Sequence, residues 1–257
     1  MKWYLFLRDA VLHPGRFLKN IARFYSELRK FKKAGCGFDF KVGDNLYPCL
    51  NDWNESAANL NYYFWQDLWA AKKIFSAAPE RHFDIGSRVD GFIAHVLSFM
   101  PVTMIDIRPL PWKIEGLDFI QADATTLEGI EDNSILSLSS LCAIEHFGLG
   151  RYGDPLSPDA WVDAMRSLSR VLAVGGHLYL AVPIGSKNEV VFNAHRIFSP
   201  ETVLNVMKPL SLDDFSVIDT RNMADVRYLE HVAPDECVIE NNFHGMVVGL
   251  FDFVKTA

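Results

Sequence analysis

Three acids in the middle of the chain, Asp84, Asp106 and Asp123, each stand at or just before the end of a short apolar, β-rich run. Asp106 follows Asp84 by 22 residues. A carboxylate at the end of a second strand is where a ribose diol would be held by two hydrogen bonds. Taken alone, Asp106 reads as a turn acid before Arg108-Pro109. Gly86, two residues after Asp84, shifts that reading toward ribose. It ends a strand and would aim backbone N–H groups and a helix start at a polar ligand. Asp123 can accept a hydrogen bond from an exocyclic amine such as that of adenine.

A second group follows. Glu145, His146, Arg151, Tyr152 and Asp154 share one stretch with Gly148, Gly150 and Gly153, an unusual mixture for a mere connection. An unperturbed histidine titrates near neutrality and suits removal of a hydroxyl proton. His146 is the first candidate base and His195 the second, with Glu145 orienting a partner. Either histidine can instead simply bond backbone in its loop. Arg151, Tyr152, Asp154 and Arg196 either grip an anionic or sugar substrate or brace the loop. Gln66 and Asp67, polar residues within an apolar helix, are second-rank candidates.

These residues need elements to carry them. Arg81 to Ile85, Val102 to Asp106, Leu117 to Gln121, Ile135 to Leu141 and His177 to Val182 read as strands. Val89 to Phe99 reads as a helix, with Phe92, Val96 and Phe99 at helical spacing. A helix start at Ser157-Pro158-Asp159 precedes a stripe of Trp161, Ala164, Met165, Leu168, Val171 and Leu172, closed by Gly175-Gly176. Asn193 to Arg196 is read as loop, Ser199-Pro200-Glu201 as a second helix start, and Phe215 to Asp219 and Met246 to Val254 as final strands. Residues 220–245 are polar and irregular. Upstream, 56–77 is helical, with Leu60, Phe64, Leu68 and Phe75 on one stripe. Residues 1–33 read as one or two helices broken near Pro14-Gly15, and 34–55 as loop or short hairpin. The expected division is a basic helical extension over 1–55 and an α/β domain over 56–257.

The order strand–helix, repeated, with acids at the ends of the first three strands, resembles class I S-adenosylmethionine (SAM)-dependent methyltransferases. Phe83-Asp-Ile-Gly86 resembles their first motif, Met104-Ile-Asp106 the ribose acid and Gln121-Ala-Asp123-Ala124 the adenine contact. Ile144-Glu-His146 resembles the strand-four segment and Leu172-Ala-Val-Gly-Gly176 the turn before strand five. The likeness covers about residues 80–183. It implies a Rossmann-like α/β fold with a mostly parallel seven-stranded sheet and helices on both faces. It also implies SAM as cofactor, held by Asp84, Gly86, Ser87 and Arg88, then Asp106, Ile107, Asp123 and Ala124. The usual later glycines are Arg88 and Asp90 here, with Gly91 one place late. Arg88 would crowd the amino-acid end of SAM or salt-bridge its carboxylate. Ile144 to Pro155 and Asn193 to Arg196 together resemble a narrower group, domain-of-unknown-function family 268. That association points to surface-polysaccharide sugars as acceptors. Two other classes stay open. One is a non-catalytic binder that kept the fold. The other is an NAD-type dehydrogenase, against which stands the missing Gly-x-Gly-x-x-Gly.

Length and composition agree with one large α/β domain: 257 residues, 49% hydrophobic, 22% charged. No apolar run reaches the ~18 residues of a membrane span, and Met1 to Leu7 is too short for a signal peptide. The four cysteines, Cys36, Cys49, Cys142 and Cys237, are scattered, so no metal site is expected and a reducing, cytoplasmic setting is. Residues 1–33 carry +7 and the whole chain −7, which leaves −14 for the rest. This basic, aromatic-rich head either lies on an anionic membrane surface, peripheral at the inner face, or packs on the acidic body or a partner. No nucleic-acid partner is expected, and oligomeric state is left open.

Overall fold

The structure is a computed structural model. It describes residues 11–35, 37–38, 40–41, 46–50, 52, 60–222, 226–235 and 246–256. The chain divides into two compact units, Met1–Asn59 and Leu60–Ala257.

In the first unit, helix α1 runs from Pro14 to Ala34. Proline fits its first turn because the missing N–H would have no helical partner there. The expected break falls at His13, one residue earlier than the Pro-Gly pair. Lys32 and Lys33 in the last turn face the negative end of the helix dipole. Phe17, Ile21, Phe24 and Leu28 are half-buried, while Leu18, Tyr25 and Phe31 are exposed, and no side chain of the helix is fully buried. The Asn20 amide donates to the Leu50 carbonyl at 2.6 Å. The aromatic head at Trp3 to Phe6 lies outside the described residues. No helix among the described residues is long and apolar enough to cross a membrane.

The second unit is built on an eight-stranded sheet. Its strands are β1 (His82–Ile85), β2 (Val102–Asp106), β3 (Leu117–Gln121), β4 (Ile135–Leu141), β5 (Leu172–Pro183), β8 (Ser211–Asp219), β9 (Arg227–Leu229) and β10 (Val247–Val254). They lie in the order β3-β2-β1-β4-β5-β10-β8-β9. The first five are mutually parallel and the last three antiparallel. Every residue of β2 is buried, as a parallel strand covered on both faces requires. Along β4 and β5 the apolar residues alternate between two cores. Ile135, Leu138, Leu178, Leu180 and Val182 face one, and Leu141, Tyr179 and Ala181 the other. Helix α4 (Ala160–Val171) covers the first core with Met165, Leu168 and Val171, as its stripe predicts. Each contributes roughly 1.5–3 kcal/mol by burial. Helices α2 (Tyr62–Ala77) and α3 (Ala94–Leu97) cover the second with Trp69, Ile74 and Val96.

Several expectations need correction. The sheet has eight strands instead of seven, because polar Arg227–Leu229 adds an edge strand to β8 without an apolar pattern to announce it. Residues 193–196 are no open loop. They turn and enter a tight hairpin of β6 (Glu189–Val191) and β7 (His195–Ile197). Gly175 and Gly176 lie inside β5, which starts directly from α4 and takes up a register shift against β4. The cap of α4 is Asp159 without a side-chain bond, while Ser199 does cap α5 (Pro200–Val206) through the Thr202 amide. The expected stripe on α2 is mostly wrong. Phe64 and Phe75 are 42% and 64% exposed, and the buried face is Gln66, Asp67, Trp69, Ala70, Ala71 and Ile74. Two alanines let the helix backbone close on the sheet. Lys73 then fixes its rotation by pairing Asp214 and Asp252, each at 2.9 Å.

Candidate functional site

Strand β1 pairs with β2 on one side and β4 on the other, so the crossovers leave β1 and β4 in opposite directions. A crevice forms at the carboxyl ends of strands at such a switch point. Here it is a cavity of about 410 Å³, lined from β1, β2 and β4, from α2, and from the loops after β3 and β4. That size suits a small-molecule ligand.

The turn after β1 is built around Asp84. Its carboxylate accepts the Ser87 amide at 2.9 Å, the Ser87 hydroxyl at 2.7 Å and the Ser139 hydroxyl at 2.5 Å. Ser139 thereby spends its only proton, so it accepts from His82 Nε2–H, and His82 Nδ1 accepts from Ser137. Burial holds that ring neutral, its pKa down to about 3. The serines of β4 therefore satisfy a buried polar chain under the turn. Asp84 does not line the cavity and is corrected from ligand contact to scaffold. Gly86 and Ser87 do line it. Gly86 has φ +72°, and a β-carbon there would press on Ala143 at 3.2 Å.

The expected crowding by Arg88 does not arise. Its guanidinium faces solvent and pairs with Asp90 at 2.9 and 3.1 Å, although the residue borders the cavity. Gly91 interrupts the expected helix with φ −124° and ψ −108°, giving a π-turn over Val89–Ile93 before α3.

Asp106, Ile107, Asp123 and Ala124 all line the cavity. Arg108, missed from the sequence, grips both Asp106 oxygens at 3.0 and 2.6 Å and lies 4.6 Å over the Tyr152 ring. An arginine two residues after a strand-end acid was the available signal. Asp123 spends one oxygen on the Thr125 amide and hydroxyl, at 2.8 and 2.7 Å. Cys142, buried with φ +51°, and Tyr63 also border the cavity without having been singled out.

The loop after β4 folds back as its glycines allow. Asp154 accepts the amides of Gly148, Gly150 and Tyr152 at 2.7, 3.3 and 3.1 Å, so its carboxylate braces the loop, while both Tyr152 and Asp154 line the cavity. Gly148, at φ +75°, meets the Ser157 carbonyl so closely that no β-carbon fits. Arg196 is buried and donates to the carbonyls of Glu145, Phe147 and Pro158 at 3.4, 2.5 and 3.2 Å. It lies outside the cavity lining and is corrected from substrate contact to brace. Arg151 binds the Ala194 carbonyl at 3.0 Å, and neither it nor His195 lines the cavity. The hairpin holds them away from it.

His146 does line the cavity. Its Nδ1 lies 2.6 Å from the Ala194 carbonyl, which can only accept, so Nδ1 carries the proton and Nε2 the lone pair. The 3.4 Å approach of Arg151 to Nδ1 is then a contact of two donors. Burial pushes the ring's pKa down to about 4. Nε2 lies 3.6 Å from Glu145 Oε1, and Tyr152 packs edge-on at 5.5 Å. Glu145 is buried outside the cavity lining, and burial lifts its carboxyl to about 8.

Apolar walls from Ile85, Ile105, Ile107, Leu141 and Phe147, with acids at the ends of β2 and β3, fit a nucleoside-bearing ligand such as SAM.

Comparison with known proteins agrees with this geometry. A family model described as Caenorhabditis protein of unknown function, DUF268, matches residues 131–226. No curated protein sequence matches the chain. Among solved structures, the [4+2]-cyclase SpnF superposes with a TM-score of 0.54 at 16% identity, over 79% of this chain and 86% of its own. The YcgJ protein of Bacillus subtilis gives 0.51 at 14% identity, over 74% and 99%. The 1,6-didemethyltoxoflavin-N1-methyltransferase of Burkholderia thailandensis, solved with S-adenosylhomocysteine bound, gives 0.50 at 13% identity, over 74% and 79%. The fold is thus the Rossmann-like fold of class I methyltransferases, and a cyclase among its neighbours separates fold from chemistry.

Proposed function

We propose that this chain is a SAM-dependent methyltransferase acting on a hydroxyl of a small polar acceptor, with sugars of surface polysaccharides as the class favoured by the DUF268 resemblance. The observation that carries the reading is the cavity at the switch point, with Asp106 and Asp123 at its strand ends and His146 on its wall. The Burkholderia neighbour binds S-adenosylhomocysteine, which supports the same ligand class here. Asp106 would hold the ribose, Asp123 the adenine amine, and Gly86 with Ser87 the turn beside the amino-acid end. Bound SAM supplies an electrophilic methyl carbon, which leaves sulfur as the acceptor's oxygen lone pair forms the new bond. The protein's main work is to hold that oxygen in line, worth roughly 7–11 kcal/mol.

His146 takes the hydroxyl proton at Nε2. The Ala194 carbonyl fixes the tautomer, and the lowered pKa keeps the ring neutral at pH 7. A base this weak acts late, when bond formation has already made the hydroxyl acidic.

His146→Ala should leave S-adenosylhomocysteine binding unchanged by calorimetry. Turnover on the true acceptor, found by screening sugars and glycans, should fall roughly 10²–10⁴-fold. In the wild type at saturating cofactor, turnover should hold from pH 8 down to about 5 and fall only as pH approaches about 4, where Nε2 becomes protonated. A loss centred near 6.5 would assign the base elsewhere.

A further inference from the structure

We propose that Gln66 and Asp67 of α2 form the receptor for the ammonium group on the cofactor's amino-acid tail. This rests on the SAM reading and assigns residues that the fold alone does not. Both side chains are buried, at 2% and 6% exposure, and both line the cavity beside Gly86 and Ser87.

Hydrogen-bond accounting points to a cation. Gln66 Nε2 donates to Asp67 Oδ1 at 3.1 Å. The opposite amide orientation would set two oxygens against each other, so chemistry fixes this one. Gln66 Oε1 is then left buried with no partner. Among the described residues no cation forms an ion pair with Asp67. The corner therefore holds buried acceptors with no ion-paired cation, and Arg88 and His95 act on Asp67 only through longer-range charge. Buried acceptors without partners are costly, and more so for a charged group than for a neutral one. An ammonium group brings three donors and the missing charge in one atom. Burial lifts the Asp67 carboxyl to about 6, which such a ligand would reverse.

Two further observations agree. Asp67 Oδ2 lies 2.8 Å from the place a β-carbon on residue 91 would take. Gly91 therefore admits the carboxylate to the turn, which gives a reason for glycine at 91 while 88 and 90 are free to be arginine and aspartate. Asp84, the acid of β1, cannot serve, since its oxygens are taken by Ser87 and Ser139 and it lies outside the cavity lining. The acid facing the tail comes from the helix before β1 instead.

The test is calorimetry on the full chain with S-adenosylhomocysteine, its analogue lacking the α-amino group, and 5′-methylthioadenosine, which lacks the whole tail. The wild type should bind S-adenosylhomocysteine at least tenfold more tightly than the deaminated analogue. Asp67→Asn should erase that preference and leave methylthioadenosine affinity unchanged. Equal wild-type affinity for the amino and deaminated ligands would overturn the proposal without any variant. So would an Asp67→Asn protein that keeps the preference, or one that weakens all three ligands alike. In those cases nucleoside binding by the wild type would leave the methyltransferase reading standing. Wild-type failure to bind any of the three would overturn both.

Discussion

Asp106 is held by Arg108 through two oxygens, so a ribose must share or displace that grip. Hydrogen bonds to a charged group contribute about 1.5–3 kcal/mol. Asp106→Ala should therefore weaken S-adenosylhomocysteine binding by roughly tenfold or more in calorimetry, and unchanged affinity would remove the ribose assignment. Glu145 makes a different prediction. Its carboxyl, buried and lifted from 4.5 to about 8, keeps in the folded state a proton that the unfolded chain has lost. Stability should then fall as pH rises from about 4.5 to about 8 and level off above. Glu145→Gln cannot ionise, so its melting temperature should gain on the wild type across that window. A constant difference from pH 5 to pH 8 would contradict the buried neutral acid.

At the scale of elements, the loop 145–154 is held by charges aimed at backbone rather than at solvent. Asp154 collects amides and Arg196 collects carbonyls, one from within the loop and one from β7. Arg196→Met keeps most of the apolar stem but strands the carbonyls of Phe147 and Pro158. It should cost about 1.5–3 kcal/mol in denaturant unfolding and speed amide exchange over 146–157. Reduced acceptor affinity with unchanged exchange would restore the direct substrate role expected from sequence. Gly148 belongs to the same device, since the Ser157 carbonyl occupies the space of any side chain.

For the whole molecule, the two units differ in how they are built. Leu60–Ala257 closes two cores around a sheet, whereas α1 presents seven basic residues against Glu27 and buries no side chain completely. Phe17, Ile21, Phe24 and Leu28 lie on one side of α1 at helical spacing, with Arg16, Lys19, Arg23 and Lys30 on the other. A helix of this kind suits an anionic bilayer surface, at about 1 kcal/mol per basic residue near it. Full-length protein should sediment with phosphatidylserine vesicles at low salt and release as salt is raised. Deletion of 1–33 should abolish that binding while unfolding stays cooperative. Failure of the intact protein to bind such vesicles at low salt would overturn the membrane reading of this face.

The sequence by itself determined the parallel half of the sheet, because buried strands, glycine turns and the stripe on α4 are local patterns with fixed periods. It also placed Asp106, Asp123, Gly86 and His146, since each sits beside a strand end and the strand order brings those ends together. Tertiary structure decided which side chains face the cavity. The residues from Glu145 to Asp154 and Arg196 look equally functional in one dimension, yet folding turns Glu145 inward, spends Arg196 on backbone, and leaves Asp154 both bracing the loop and lining the cavity. Gln66 and Asp67 went the other way. Helical period alone put Phe64 and Phe75 inside, and only the close approach of Ala70 and Ala71 to the sheet, fixed by Lys73, turned the two polar residues toward the cavity. Spacing along the chain sets where a residue stands on its element, whereas the rotation of that element against its neighbours depends on contacts far away in sequence.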